Sequence, residues 1–202
     1  MKYNRKIIAL AVIGAMVSSL AFPVNAKENT SEKEEVIYVN LEAEGSVKDI
    51  YAVNIFGSGN IVDYGDYKSV EMLNSNDEIS QKGDEISFST ETERVYYKGE
   101  MNTKEMPWNI ELTYYLNGKE IPASELAGKS GSLEMKFEIT ENDKATGNFF
   151  EGYALQASFA LDTEKCKDIV AEGATIANVG SDKQLTYTIL PGRGIDARWC
   201  SK

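Results

Sequence analysis

The side chains that could do chemistry here are carboxylates, lysines, tyrosines, serines and two cysteines, because the 202 residues include no histidine. A Ser-His-Asp or Cys-His nucleophile, a His-ligated zinc and an imidazole pH switch are therefore excluded. Paired acids remain, in Asp63 with Asp66 and in Glu141 with Asp143. Two such acids hydrolyse a glycoside only when they lie about 5 to 10 Å apart across a cleft. Since 32 residues are acidic, surface solvation is the simpler role, and we expect no catalytic residue and no enzymatic activity.

Two glycine motifs partly match nucleotide-binding loops but lack the context those loops need. The segment AGKS at 127–130 matches the end of a phosphate-binding loop, yet Ala123 stands where its first glycine belongs and a strand is predicted next. Gly57 and Gly59 lack the third glycine and the following helix of a dinucleotide site. We expect turns at both places and no bound nucleotide or other cofactor.

The sequence contains one candidate metal site, a loop that resembles a calcium-binding loop. Asn74, Asn76 and Glu78 alternate as calcium ligands can, but their charge is low and no glycine follows at the required place. We predict a solvated loop and no metal, with calcium binding as the alternative.

Aromatic residues cluster in segments with strand character. Because neighbouring side chains on a strand point to opposite faces, one tyrosine of Tyr96–Tyr97 and one of Tyr114–Tyr115 must lie on an outer face. Tyr97, Tyr115 and Trp108 are our candidate contact surface for a protein or a carbohydrate. The alternative is cross-strand aromatic pairing that only stabilises a sheet.

The first 26 residues have the composition of a secretory signal peptide. Lys2, Arg5 and Lys6 precede an apolar segment from Ile7 to Phe22, and small residues end at Ala26. We predict a signal helix, cleavage after Ala26, and export of the remaining chain to the extracellular space or the cell surface.

Charge limits the partners of the exported chain. Residues 27–202 hold 18 basic and 32 acidic residues, a formal charge of −14. Such a chain repels nucleic acids and anionic lipid surfaces. No second apolar segment is close in length to a membrane-spanning helix, which needs about 18 to 20 residues. The expected partners are proteins or cell-wall components at the cell surface.

The elements that must position these residues are short strands with turns between them. Period-two alternation is strongest where Trp108, Ile110 and Leu112 fall on one face, and Asn117-Gly118 then predicts a type I′ turn. Ser124 and Gly128 could begin and end one helical turn. Nine or ten such strands predict an antiparallel, immunoglobulin-like β-sandwich. The predicted parts are a signal peptide at 1–26, a flexible charged leader at 27–35, β subdomains at 36–105 and 106–192 that pack together, and a short tail at 193–202.

Two cysteines, Cys166 and Cys200, leave one disulfide open as an alternative in an exported chain. We favour an unpaired, buried Cys166 that behaves as a small apolar residue.

Two long segments resemble a known group of proteins. They are WNIELTYYLNGKEIPASELAGKSGSLEMKFEI at 108–139 and ALQASFALDTEKCKDIVAEGATIANVGSDKQLTYTILPG at 154–192. They resemble the exported N-terminal region of Gram-positive membrane proteins of the YhgE/Pip-like, Leu-x-x-Gly heptad-repeat group. That group has a β-rich ectodomain, then heptad repeats and transmembrane helices, and relatives are tied to phage adsorption and type VII-like secretion. The resemblance implies an ectodomain fragment that meets the membrane only through a missing C-terminal region, and we expect an abbreviated reading frame.

We therefore expect a non-enzymatic cell-surface scaffold or protein-interaction domain. The alternative is a domain that binds cell-wall carbohydrate or processes glycans with carboxylates.

Overall fold

The computed structural model describes residues 10–16, 33–106, 108–142, 154–189 and 195–201. Within these residues the regular elements are β-strands and a 3₁₀ turn at Ala123–Glu125, with no α-helix. The all-β class predicted from the alternation is confirmed. The strands form several antiparallel sheets, an arrangement consistent with a β-sandwich.

In chain order the strands are β1 (Leu10–Met16), β2 (Glu34–Leu41), β3 (Val47–Phe56), β4 (Gly59–Tyr64), β5 (Tyr67–Met72), β6 (Ser80–Lys82), β7 (Glu85–Thr90), β8 (Val95–Met101), β9 (Trp108–Leu116), β10 (Lys119–Glu120), β11 (Leu133–Glu141), β12 (Ala154–Asp162), β13 (Val170–Ala171), β14 (Thr175–Val179), β15 (Asp182–Ile189) and β16 (Ile195–Ser201).

The chain forms two compact units, which we call the N-unit and the C-unit. The N-unit takes its described residues from 15–39 and 49–104, and the C-unit takes its own from 1–14, 40–48 and 105–202.

The N-unit has two antiparallel sheets, one with the order β2-β3-β8-β5 and one with the order β4-β7-β6. Its core is aromatic, with Phe56, Phe88 and Tyr97 at centroid distances of 5.9 to 6.1 Å from one another. On β8 every second residue is buried, from Val95 to Met101. The alternation therefore places one face of this strand in the core.

The C-unit also has two sheets. One has the order β10-β9-β11-β16-β13 and the other includes β14-β15-β12. Phe137 on β11 lies 4.9 Å from both Phe159 on β12 and Tyr187 on β15, measured between ring centroids. One aromatic cluster thus joins strands of both sheets.

The predicted type I′ turn is present between β9 and β10. Asn117 has φ 53° and Gly118 has φ 76°, and the turn pairs Lys119 with Leu116. Both residues tolerate the left-handed region, which is why this dipeptide closes hairpins. The helical turn predicted around Ser124 is present only as the 3₁₀ turn, without a side-chain cap.

The two ends of the predicted fold need correction. The charged leader was predicted to be flexible to Glu35, but β2 begins at Glu34, and Lys33 and Glu35 form ion pairs. The predicted short tail contains β16, which pairs with β11 along seven residues and with β13. Arg198 of β16 also binds Glu134 at 3.1 Å. Local sequence did not indicate either strand, because Lys33 and β16 find their partners far away in the chain.

The predicted signal helix is not confirmed, because Leu10–Met16 is a strand and the rest of 1–26, including Ala26, lies outside the described residues. A short apolar run with valine and isoleucine is compatible with either conformation.

Candidate functional site

The N-unit contains a partly buried ion network formed by Lys33, Glu35, Asp63 and Tyr97. Lys33 Nζ lies 3.1 Å from Glu35 Oε2 and 2.9 Å from Asp63 Oδ2. The Tyr97 hydroxyl donates a hydrogen bond to the same Asp63 oxygen. Lys33 directly precedes β2, whereas Glu35 lies on β2, Asp63 on β4 and Tyr97 on β8. The carboxylate side chains of Glu35 and Asp63 are only 14% and 12% exposed. An ammonium ion thus bridges two carboxylates that are largely removed from water.

The environment of this network favours a neutral phenol and a charged ammonium. Burial, together with the neighbouring Asp63 carboxylate, raises the pKa of Tyr97 far above its ordinary value. Burial opposes the charge on Lys33, but the carboxylates of Glu35 and Asp63 outweigh it and raise the pKa of the ammonium. A neutral phenol and a retained ammonium are poor nucleophiles and poor bases. The arrangement is suited to holding β2, β4 and β8 together.

Tyr67 extends the same polar region. Its hydroxyl accepts a hydrogen bond of 3.1 Å from Asn54 Nδ2, and Asn54 is fully buried. Burial raises the pKa of Tyr67 as well. The ring passes between Gly65 and Gly99, where an added Cβ would come within 2.3 and 2.6 Å of ring atoms. Glycine is needed at both positions because the aromatic ring occupies the space of a side chain.

An acidic cleft of about 910 Å³ opens on the C-unit. Glu42, Glu44, Glu111 and Glu120 line it, and the Tyr114 hydroxyl donates to the Ala43 carbonyl at 2.8 Å. Burial, reinforced by the charge of Glu44, raises the pKa of Tyr114 to about 12. The glutamates repel phosphates and other anions from this cleft.

A second cleft of about 790 Å³ in the C-unit has a more apolar lining. Leu116, Leu126, Leu133 and Leu161 contribute to it, together with the AGKS segment at 127–130. Gly128 adopts φ 78° in a turn, and strand β11 follows rather than a helix. The prediction of a turn at AGKS is therefore confirmed, and the helix N-terminus of a phosphate-binding loop is lacking.

The candidate contact residues do not form one surface. Tyr97 is fully buried in the N-unit, which corrects its assignment to an outer face; Tyr96 is the half-exposed member of that pair. In the C-unit, Trp108 and Tyr115 are both half-buried on β9. They are seven positions apart, so their side chains point to opposite faces of the strand.

Two other tyrosines pair on the outer face of the N-unit sheet. Tyr38 and Tyr51 stack with 4.9 Å between centroids and 11° between ring planes. Lys98 Nζ lies 4.7 Å from the Tyr51 ring centroid. Contacts of this kind stabilise a sheet. Neighbouring side chains thus occupy ring surface that a sugar would need for stacking.

The acids weighed as a possible catalytic pair, and the loop weighed as an alternative calcium site, make contacts with other protein groups. Asp63 binds Lys33, whereas Asp66 accepts a hydrogen bond of 2.5 Å from Asn102. Asn74 Oδ1 accepts from the Tyr96 N–H at 2.8 Å. Across the described residues, no group of three or more Cys, Asp or Glu could hold a metal ion. The pair of Glu141 with Asp143 lies outside the described side chains.

Cys166 and Cys200 are both unpaired and half-buried. The Cys166 thiol lines the apolar cleft with Ser201, and burial raises the pKa of that thiol. Cys200 and Ser201 are adjacent on β16 and therefore point to opposite faces. Cys166 is unpaired as favoured, but it is half-buried and not buried as predicted.

Among the described residues of the C-unit, the large apolar side chains with the greatest exposure lie at 170–179, which we call the β13–β14 edge. Among the described strands, β13 ends the five-stranded sheet and β14 lies at the end of its own sheet. All five residues of β14 are exposed. Val170, Ile176 and Val179 are 64%, 45% and 57% exposed. Because only three residues connect β13 to β14, the two strands lie on the same side of the unit. The local sequence of β14 gives no signal of this position at the end of a sheet, because pairing between distant strands determines it.

Comparisons with protein-family models, curated proteins and solved structures find no match to this chain. Within the part of the chain that is described, no helix is long and apolar enough to cross a membrane.

Proposed function

We propose that this chain is an exported, non-enzymatic module that binds another protein at the cell surface, and that its contact surface is the β13–β14 edge. The observation that carries the proposal is that all five residues of β14 are exposed and that its sequence TIANV contains no charged residue and no proline.

An edge strand presents backbone N–H and C=O groups that can pair with another chain. Proteins that must stay apart protect such edges with lysine, proline, bulges or covering loops. The residues of β14 provide no charge or proline for this purpose, and the strand adds two exposed aliphatic side chains. These features favour recognition by strand addition, in which main-chain hydrogen bonds supply affinity and neighbouring side chains supply specificity.

Export and fold type form part of the proposal. The basic and apolar residues of 1–26 support export with cleavage after Ala26. Two antiparallel sheets around the Phe137, Phe159 and Tyr187 cluster support an immunoglobulin-like arrangement in the C-unit. The resemblance of 108–139 and 154–192 to exported Gram-positive ectodomains agrees with a surface location.

Binding of the secreted chain to envelopes of the cells that produce it tests this function. We expect Ile176→Lys to weaken saturable binding about tenfold or more, because a charge at an edge opposes strand pairing and removes an apolar contact. The matched control is Val62→Lys on β4, since Val62 is similarly exposed at 53% but belongs to the N-unit. Equal binding by both variants and the unmodified chain would remove the proposal.

A glycan array and a hydrolysis assay on cell-wall polysaccharide test the carbohydrate alternative. A saturable signal in either, lost on substitution of Trp108 or Tyr115, would favour that alternative over protein binding.

A further inference from the structure

We infer that the protein bound at the β13–β14 edge is a second copy of this chain, with the two β14 strands paired antiparallel about a two-fold axis. This inference rests on the proposed function, because it names the partner of the same edge.

Charge is the first reason. The whole chain has a formal charge of −11, so two copies repel each other over most approaches. β14 has no charged side chain. Two copies can therefore meet along this strand without placing carboxylates opposite carboxylates.

The residues of β14 are also self-complementary. Full overlap of two antiparallel copies places Thr175 opposite Val179, Ile176 opposite Asn178, and the two Ala177 residues opposite each other. Thr175 and Val179 are both β-branched, a pairing that sheets favour, and the small side chain of Ala177 allows close approach at the axis. The arrangement is isologous, as expected for a two-fold dimer.

The hydrogen-bonding pattern of the β14–β15 hairpin agrees with the same register. Val179 pairs with Asp182 next to the two-residue loop at 180–181. In such a hairpin this flanking pair exchanges hydrogen bonds, and the pairs alternate from there. Ile176 and Asn178 then direct their N–H and C=O groups away from β15. Full overlap brings these two residues face to face across the axis.

The expected dimer is weak. A pairing of five residues on each side falls at the low end of specific interfaces, below about 1,200 Å² of buried surface. We expect dissociation constants between about 1 µM and 1 mM, with a monomer at dilution.

Sedimentation velocity of the secreted chain between about 0.5 µM and about 1 mM, a range that spans these expected constants, tests the inference. The mass is expected to rise toward twice that of the monomer as concentration increases. Ala177→Glu places two carboxylates opposite each other and should lower association about tenfold or more. Ala177→Gln is the matched control, because glutamine has the shape of glutamate without its charge, and this variant should associate far better than Ala177→Glu. A chain that stays monomeric throughout, or equal association by Glu and Gln variants, would overturn the inference.

Oxidative cross-linking tests the register without relying on affinity. Facing Cβ atoms at the axis are close enough for a disulfide, so Ala177→Cys should give a covalent dimer. Thr175→Cys is the control, because position 175 faces Val179 of the second copy and the new thiol therefore meets no other new thiol. The unmodified chain controls for cross-linking through Cys166 and Cys200. Cross-linking of Thr175→Cys as efficiently as Ala177→Cys would contradict the two-fold pairing.

Failure of this inference can be told from failure of the proposed function. A monomeric chain whose envelope binding still depends on Ile176 keeps the function and loses the self-pairing. A dimer with no Ile176-dependent envelope binding keeps the pairing and loses the function.

Discussion

Replacement of Tyr97 by alanine is expected to lower the free energy of unfolding by about 3 to 5 kcal/mol. The side chain is fully buried, and its ring lies 6.1 Å from Phe56, 5.9 Å from Phe88 and 6.3 Å from Tyr67 between centroids. Alanine would leave a cavity among three aromatic rings and remove the hydrogen bond to Asp63. Urea unfolding followed by far-ultraviolet circular dichroism measures the change.

Tyr97→Phe is the matched control for that experiment. Phenylalanine keeps the ring contacts and removes only the hydroxyl that donates to Asp63. We expect a loss of about 1 to 3 kcal/mol, because a largely buried carboxylate oxygen loses one of its hydrogen-bond donors. Equal losses for phenylalanine and alanine would contradict the aromatic packing, and a loss below about 1 kcal/mol for alanine would contradict burial of the ring.

Gly99→Val is expected to destabilise the protein by about 3 kcal/mol. A Cβ at Gly99 would meet Tyr67 ring atoms at 2.6 to 2.7 Å, and Gly65 blocks the opposite side of the ring. The ring cannot move toward Gly65 without a second clash. Unfolding in urea again measures the effect, and Gly99→Ala, with a smaller side chain, should cost less than valine.

A double-mutant cycle isolates the cause of the Gly99 effect. In the background Tyr67→Ala, the ring that meets the new side chain is absent. Gly99→Val should then cost at least about 1 kcal/mol less than in the unmodified chain, since residues in contact show coupling energies of this size. The same cost in both backgrounds would contradict the packing of Tyr67 between the two glycines.

Much of the strand content could be predicted because alternation is a local property of the sequence. The strand predicted from Trp108, Ile110 and Leu112 is present as β9, and the predicted Asn117–Gly118 turn closes β9 onto β10. The roles of Lys33 and β16 could not be predicted in this way. Lys33 contacts Asp63, 30 positions away, and β16 pairs with β11 more than 50 positions away. Such partners depend on the topology, which local patterns do not specify.

The candidate site was predicted less well, for two different reasons. For Tyr97 the signal was present, since Lys98 and Glu100 share a face with Tyr96 and mark that face as the outer one. For Ile176 and Val179 no local signal distinguishes an exposed edge from a covered strand. Their exposure follows from the position of β14 at the end of its sheet, which the pairing of distant strands determines.

Hydrogen–deuterium exchange of residues 27–202, free and bound to envelopes of the cells that express the protein, tests the proposed contact surface most directly. If the β13–β14 edge is that surface, binding should slow exchange of the Ile176 and Asn178 amides about tenfold or more, because both amides gain hydrogen-bond partners. Amides of Val62 and Tyr64 on the exposed face of β4 should exchange at the same rate in both states. Unchanged exchange at 175–179 with protection elsewhere, at Trp108 or Tyr115 for example, would contradict the account.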